Sequence, residues 1–149
     1  MTWNDAMSED DLKALYRRWL LELWQGGEAV AEQILTPDFV IHQARMGPDD
    51  SATVRGPQAA VELVRMGHAP FSELTISLEV GPIVEGDMVA ARWSARGIYA
   101  GGLPGATAAP GTVVQFGGID LMRVEDGRFA EYWVSSDGLA LMAQLGALG

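Results

Sequence analysis

Hydrophobic positions recur three and four residues apart near the start of the chain, which is the spacing of one helix face. Ser8 can cap this predicted helix, with Asp11 as a capping-box partner three residues later. Shorter helices are predicted over residues 28–35 and from Pro57 onward. The apolar positions of the first helix are Leu12, Leu15, Tyr16, Trp19, Leu20 and Leu23.

From Leu74 onward the apolar period changes to two, which predicts half-buried strands. Turn sequences at residues 85–87 and 125–127 join neighbouring strands as hairpins. The strand predicted over residues 112–124 contains Gly117-Gly118, where we expect a bulge or a sharp bend. Helices followed by a long antiparallel meander predict an α+β fold. A strongly curved sheet would enclose a cavity against the helices.

Composition narrows the class of protein. The 149 residues are 48% hydrophobic and 20% charged, which argues for one folded domain over residues 1–149. The formal net charge of −10 weighs against nucleic acid and anionic membranes as partners, because both attract basic surfaces. Cysteine is absent and only His42 and His68 supply imidazole, so we expect neither a metal nor another cofactor.

The chain shows no targeting pattern. Residues 1–11 are acidic and lack the basic and apolar segments of a signal peptide. The long uncharged stretch over residues 97–119 is rich in Gly, which is typical of turns and not of a membrane span. We therefore expect a soluble cytoplasmic protein.

Three motifs follow one another in the second half of the chain. Residues 85–93 read EGDMVAARW, residues 118–128 read GIDLMRVEDGR, and residues 131–146 read EYWVSSDGLALMAQLG. Their order and content resemble the hairpins and the C-terminal segment of SnoaL-like polyketide cyclases. The resemblance extends from Leu12 to Gly146.

This resemblance implies the NTF2-like fold, a cone in which a curved antiparallel sheet wraps around N-terminal helices and encloses an apolar pocket. It also implies a small enzyme of secondary-metabolite and antibiotic biosynthesis that closes a ring in a hydrophobic polyketide. Such enzymes commonly form homodimers through the sheet. Because one fold hosts several activities, the function has to be argued from the site.

Asp137 is the first candidate catalytic residue. In the cyclases that the chain resembles, the aspartate four residues after the tryptophan of the last motif is the general base. Its carboxylate would remove an acidic C–H proton, and the enolate would close the ring by aldol attack. The alternative is that Asp137 only caps a short helix predicted over residues 137–145.

His42 is the second candidate catalytic residue. It ends a short strand predicted over residues 39–42 and precedes a polar loop that contains Gly47-Pro48. Relatives often carry a pocket histidine near this place, where it could donate to a substrate carbonyl or an enolate. A histidine with a purely structural role is the alternative.

Aromatic residues and one amide are the candidates for the pocket wall. Gln115 and Asp120 share the strand of the glycine pair, and either could point into the cavity, depending on the bulge. Tyr99 stands where many relatives have histidine, which puts an acid role at that position in doubt. The candidate substrate-binding residues are Tyr16, Trp19, Trp93, Tyr99, Gln115 and Trp133.

Competing functions stay open on the sequence alone. The first is the acid–base cyclase, and the second is a cyclase that folds a polyene by pocket shape, as for a pericyclic closure. The third is a ligand-binding module without catalysis. An epoxide hydrolase of the limonene type is less favoured. Such enzymes use an Asp–Arg–Asp set, and at the matching positions this chain has Arg92 but Ser94 and Ser135 in place of aspartate.

Overall fold

The structure is a computed structural model that describes residues 7–43 and 55–148. The loop predicted around Gly47-Pro48 lies outside the described residues. The elements are, in chain order, α1 (Glu9–Arg18), a π-helical turn (Trp19–Leu23), a 3-10 turn (Glu28–Val30), α2 (Ala31–Ile34), β1 (Leu35–Gln43), α3 (Pro57–His68), β2 (Phe71–Glu85), β3 (Met88–Tyr99), β4 (Val113–Glu125), β5 (Arg128–Ser136) and α4 (Gly138–Gln144).

The first helix begins at the predicted capping box. The Ser8 hydroxyl accepts a hydrogen bond from the Asp11 amide at 3.1 Å, and the Asp11 carboxylate accepts one from the Ser8 amide at 3.2 Å. After α1 the helix widens into the π turn, whose Trp19 is fully buried. The helix predicted over residues 28–35 is shorter, because Leu35 fills the core from an extended backbone and already belongs to β1.

The five strands form one sheet in the order β1-β5-β4-β3-β2. Strands β2 to β5 pair antiparallel as the predicted meander. β1 extends this meander at one edge, where it pairs parallel with β5, so the sheet is mixed. β1 and β2 lie at opposite edges of the sheet, and α3 stands between them in the chain. The sheet is curved and unclosed, and the α+β class is confirmed.

The bulge predicted at Gly117-Gly118 is wrong. The pairing of β3 with β4 runs without interruption past these residues, with Trp93 opposite Gly118 and Ser94 opposite Gly117. A Cβ atom at Gly118 would overlap the indole ring of Trp93. The glycine therefore accommodates a large neighbouring side chain, and the pairing of β3 with β4 contains no bulge at this place.

The main core lies between the inner face of the sheet and the helices. In a second apolar cluster, centred on buried Tyr99, Val114 and Leu145, the segment after β3 packs against α4. Within that segment the amides of Thr107 and Ala108 each donate to the Leu145 carbonyl at 3.0 Å. None of the described helices has the length and apolar character that crossing a membrane requires.

Candidate active site

A cavity of about 250 Å³ lies between the helices and the inner face of the sheet. Its walls are largely apolar, and none of the described residues that line it carries a positive charge. Asp120 supplies the one carboxyl group among them. The lining residues are Leu20, Trp24, Leu63, Met66, Gly67, Leu74, Ile76, Trp93, Ala95, Phe116, Asp120, Tyr132, Val134 and Ser136.

Asp120 is 1% exposed and accepts four hydrogen bonds from aromatic side chains. Its Oδ2 accepts from the Tyr16 hydroxyl at 2.8 Å and from the Trp19 Nε1 at 3.3 Å. Its Oδ1 accepts from the Trp93 Nε1 at 3.0 Å and from the Tyr132 hydroxyl at 2.9 Å. A buried carboxylate is tolerated in a protein when its oxygens are saturated in this way.

Four separate elements bring these donors to one carboxyl group. Tyr16 lies on α1 and Trp19 on the π turn, so both reach the sheet from the helical layer. Trp93 lies on β3, diagonally across the strand pair from Asp120. Tyr132 lies on β5, diagonally across from Asp120 on the other side.

A change of register sets the direction of Tyr132. The pairing of β4 with β5 shifts between Arg123 and Val124, where one residue of β5 is left over. Phe129 and Tyr132 therefore both point to the core, although their odd spacing would place them on opposite faces of a regular strand. The bulge selects Tyr132 for the site and turns Trp133 to the outer face.

Burial controls the protonation of the site. Loss of solvent raises the pKa of Asp120, and the donors that hydrogen-bond to it oppose this rise only in part. Burial, followed by the charge of Asp120, raises the pKa of both Tyr16 and Tyr132. The phenols therefore stay protonated as donors, while Asp120 has the increased proton affinity that a general base needs.

The structure brings three of the predicted substrate-binding residues together. Tyr16, Trp19 and Trp93 all donate to Asp120. Tyr99 is buried elsewhere, and its hydroxyl accepts a hydrogen bond from the Leu103 amide at 2.9 Å. Gln115 lies beside an open groove on the outer face, and its backbone is bound by the Gln144 side chain.

Asp137 lies at this outer groove and not at the apolar cavity. Its carboxylate is 3.6 Å from the Arg92 guanidinium, and the two side chains are 50% and 38% exposed. Arg92 also lies 3.4 Å from Glu79. Asp137 occupies the N-cap position of α4, but its side chain makes no capping hydrogen bond.

His42 and Trp133 lie together on the outer face of the sheet. Their rings stack at 5.0 Å with an angle of 17°. The His42 Nε2 is 2.9 Å from Glu131, whose carboxylate also accepts from Arg123 at 2.7 Å. Hydrogen bonds from Arg123 and His42 lower the pKa of Glu131. The sheet separates this cluster from Asp120, so the structure does not bring His42 and Asp137 to the buried carboxyl group.

Sequence reasoning left the direction of Asp120 open and missed Tyr132. One signal was available for Asp120, which occupies an alternating position with apolar Met122 and Val124 along β4. A carboxylate at an inward position of a strand predicts a buried, partnered acid. No local signal marks Tyr132, because its direction depends on the bulge.

The sequence pattern of the SnoaL-like polyketide cyclases matches residues 14–145, a span that includes Asp120 and all of its partners. The chain belongs to the SnoaL-like polyketide cyclase family. Within residues 7–43 and 55–148, no three His, Cys, Asp or Glu side chains cluster as a metal site.

Solved structures share the NTF2-like fold of this cyclase family. TsrD from Streptomyces laurentii is 26% identical, with 95% of this chain and 99% of that chain covered and a TM-score of 0.76. IdmH from Streptomyces antibioticus, provisionally assigned as a polyketide cyclase, is 26% identical. The match covers 91% of this chain and 98% of IdmH, with a TM-score of 0.77.

A SnoaL-like protein from Jannaschia sp., also provisionally assigned as a polyketide cyclase, is 23% identical, with 96% and 98% covered and a TM-score of 0.77. Among curated proteins, none matches the sequence significantly. The family and the NTF2-like cone predicted from the motifs are thus confirmed.

Proposed function

We propose that this protein is a cofactor-independent cyclase that closes a ring in a hydrophobic polyketide by acid–base chemistry, with Asp120 as the general base. The observation that carries the proposal is a buried carboxyl group, saturated by aromatic donors, on the wall of an apolar cavity. A carboxyl group with raised pKa in a dry cavity is suited to abstract a proton from carbon between two carbonyl groups.

The proposed reaction balances within the substrate. Asp120 takes the C–H proton, and the electron pair of that bond forms an enolate. The enolate carbon attacks a second carbonyl of the same chain, which forms the new C–C bond. The resulting alkoxide takes the proton back from Asp120, so that no cofactor is consumed. The apolar walls fold the chain so that the two carbons meet.

The decisive experiment compares single variants in the conversion of a linear polyketide intermediate to its cyclic product. We expect Asp120→Asn to lose at least about a hundredfold in rate, the usual contribution of a general base. Asp137→Asn and His42→Gln test the residues that the sequence suggested. A normal rate for Asp120→Asn together with a large loss of rate for Asp137→Asn would identify Asp137, at the outer groove, as the general base.

A shape-driven cyclase is the second candidate function. The largely apolar lining favours it, because such walls can hold a polyene in a reactive fold without any proton transfer. In that case Asp120→Asn would retain turnover, whereas a larger side chain in the wall, as in Ala95→Leu, would abolish it. Tight binding of the intermediate without any product would instead identify a ligand-binding module.

We also propose that the protein forms a homodimer through the outer face of the sheet. Ile119 and Leu121 on β4 are 51% and 38% exposed on this face. On the neighbouring strand β5, Trp133 pairs with Leu121 and Ser135 pairs with Ile119. Exposed apolar and aromatic side chains of this kind, flanked here by the charged Arg92, Arg123 and Glu131, match the apolar core and polar rim of protein interfaces.

A further inference from the structure

The two oxygens of Asp120 have different surroundings. Oδ2 is held by Tyr16 and Trp19, which are both 0% exposed and belong to the first helical segment. Oδ1 is held by Trp93 and Tyr132, which both line the cavity. The donors of Oδ2 thus come from the core, and the donors of Oδ1 come from the wall of the cavity that a substrate would occupy.

We propose that Oδ1 takes the proton of the substrate as Trp93 and Tyr132 transfer their hydrogen bonds from Oδ1 to the enolate oxygen. Tyr16 and Trp19 keep Oδ2 in place throughout and act as positioning residues. This inference rests on the proposed function and extends it to the donors around the base.

The chemistry of the donors supports this division of roles. An indole N–H and a protonated phenol donate equally well to a carboxylate and to an enolate. Before proton transfer the negative charge lies on Asp120, and afterwards it lies on the substrate oxygen. Donors that line the cavity can follow the charge by a small rotation. Donors from the core cannot, because they have no access to the substrate.

The occupied lone pairs of Oδ1 favour the movement of these hydrogen bonds from Asp120 to the enolate oxygen. A carboxylate oxygen offers two lone pairs, and Trp93 and Tyr132 already use both. A C–H or O–H group that approaches Oδ1 therefore competes with them. Once Oδ1 is protonated and neutral, it holds these donors weakly, whereas the new anion beside it holds them strongly.

The probe for this inference is 6-cyano-2-naphthol, an apolar phenol that is acidic enough to share its proton with a carboxylate at neutral pH. Naphthalene, which has no hydroxyl, reports in parallel whether the cavity of each variant still binds. The measured quantity is the fraction of bound naphthol that is ionised, taken from its naphtholate absorption band at fixed pH.

The two pairs of variants are expected to change this fraction in opposite directions. Tyr16→Phe and Trp19→Phe remove donors that serve only the carboxylate, so Asp120 becomes more basic and the ratio of ionised to neutral naphthol rises. Trp93→Phe and Tyr132→Phe remove donors that the naphtholate needs, so the ratio falls. A hydrogen bond to a charged group corresponds to a change of about tenfold in this ratio.

The outcomes distinguish a failure of the hydrogen-bond transfer from a failure of the proposed function. If all four phenylalanine variants raise the ionised fraction, the donors remain on Asp120 and the transfer is overturned. If Asp120→Asn leaves the fraction as in the wild type, Asp120 is not the base and the proposed function itself fails. Opposite changes for the two pairs, with naphthalene binding retained, establish the inference.

Discussion

The indole of Trp93 fills the space in which a side chain at Gly118 would lie, because the two residues face each other across β3 and β4. A Cβ at this position would also approach the Ser135 carbonyl oxygen to 2.9 Å. The same indole donates to Asp120 at 3.0 Å and packs edge-on against Phe116. A glycine in the sheet thus determines where one donor of the site lies.

Gly118→Ala is expected to destabilise the protein by about 1–3 kcal/mol, because the added methyl group overpacks the sheet and displaces the indole. Gly138→Ala is the matched control, since a Cβ there meets nothing within 4 Å at the start of α4. The control should change stability by no more than about 1 kcal/mol. Urea unfolding measures both, and equal losses would contradict this account of Gly118.

Local patterns predicted most of the fold. The alternation along β3 and the Ser8–Asp11 capping box are properties of neighbouring residues, and both appear as expected. The parallel pairing of β1 with β5 was not predictable in this way, because it joins residues that are more than ninety positions apart, such as His42 and Trp133.

The site was less accessible to sequence reasoning than the fold. Asp120 receives its hydrogen bonds from Tyr16, 104 residues away, and from Trp19, 101 residues away. Such contacts leave no periodic signal. The family resemblance directed attention to Asp137, which the structure places at the exposed outer groove beside Arg92.

Asp120→Asn is expected to lower stability by about 1–3 kcal/mol, because it leaves a buried donor unsatisfied. Each oxygen of Asp120 accepts from one tryptophan, Trp19 or Trp93, and an indole N–H can only donate. Whichever way the asparagine amide turns, its NH₂ group therefore faces an indole N–H. Asp137→Asn, at a half-exposed side chain, is the control and should remain within about 0.5 kcal/mol. Equal unfolding midpoints for the two variants would refute the argument.

The pH dependence of stability should also report on Asp120. Its pKa in the folded protein is raised above the ordinary value of 3.8, so between pH 3.8 and the folded pKa the folded state holds a proton that the unfolded state has lost. This contribution to stability is complete below pH 3.8 and disappears as the pH rises through the folded pKa.

Glu131 contributes with the opposite sign, because its lowered pKa adds stability above its ordinary value of 4.5. The difference in unfolding free energy between wild type and Asp120→Asn, measured across pH, cancels this contribution and isolates Asp120. We expect wild type to lose stability relative to the variant as the pH rises. A difference that stays constant with pH would show that burial does not raise the pKa of Asp120.

The Gln144 side chain should protect one exposed edge of the sheet. Its amide accepts from the Gln115 backbone N–H at 2.8 Å and donates to the Gln115 carbonyl at 2.7 Å, where β5 no longer accompanies β4. Gln144→Leu is expected to speed hydrogen exchange of the Gln115 amide severalfold and to cost about 1 kcal/mol. Gln115→Thr keeps the backbone bridge and is the control. Unchanged exchange in Gln144→Leu would mean that the bridge contributes nothing.

The outer face of the sheet provides the test of the dimer. Charge placed at its centre by Ile119→Lys should dissociate the dimer, because an unpaired buried charge at an interface is strongly unfavourable. Leu21→Lys is the matched control, since Leu21 is 42% exposed in the helical layer, away from this face. Sedimentation equilibrium measures the mass of each variant. A wild-type protein that is monomeric at all concentrations, or a dimer that survives Ile119→Lys, would exclude this surface as the interface.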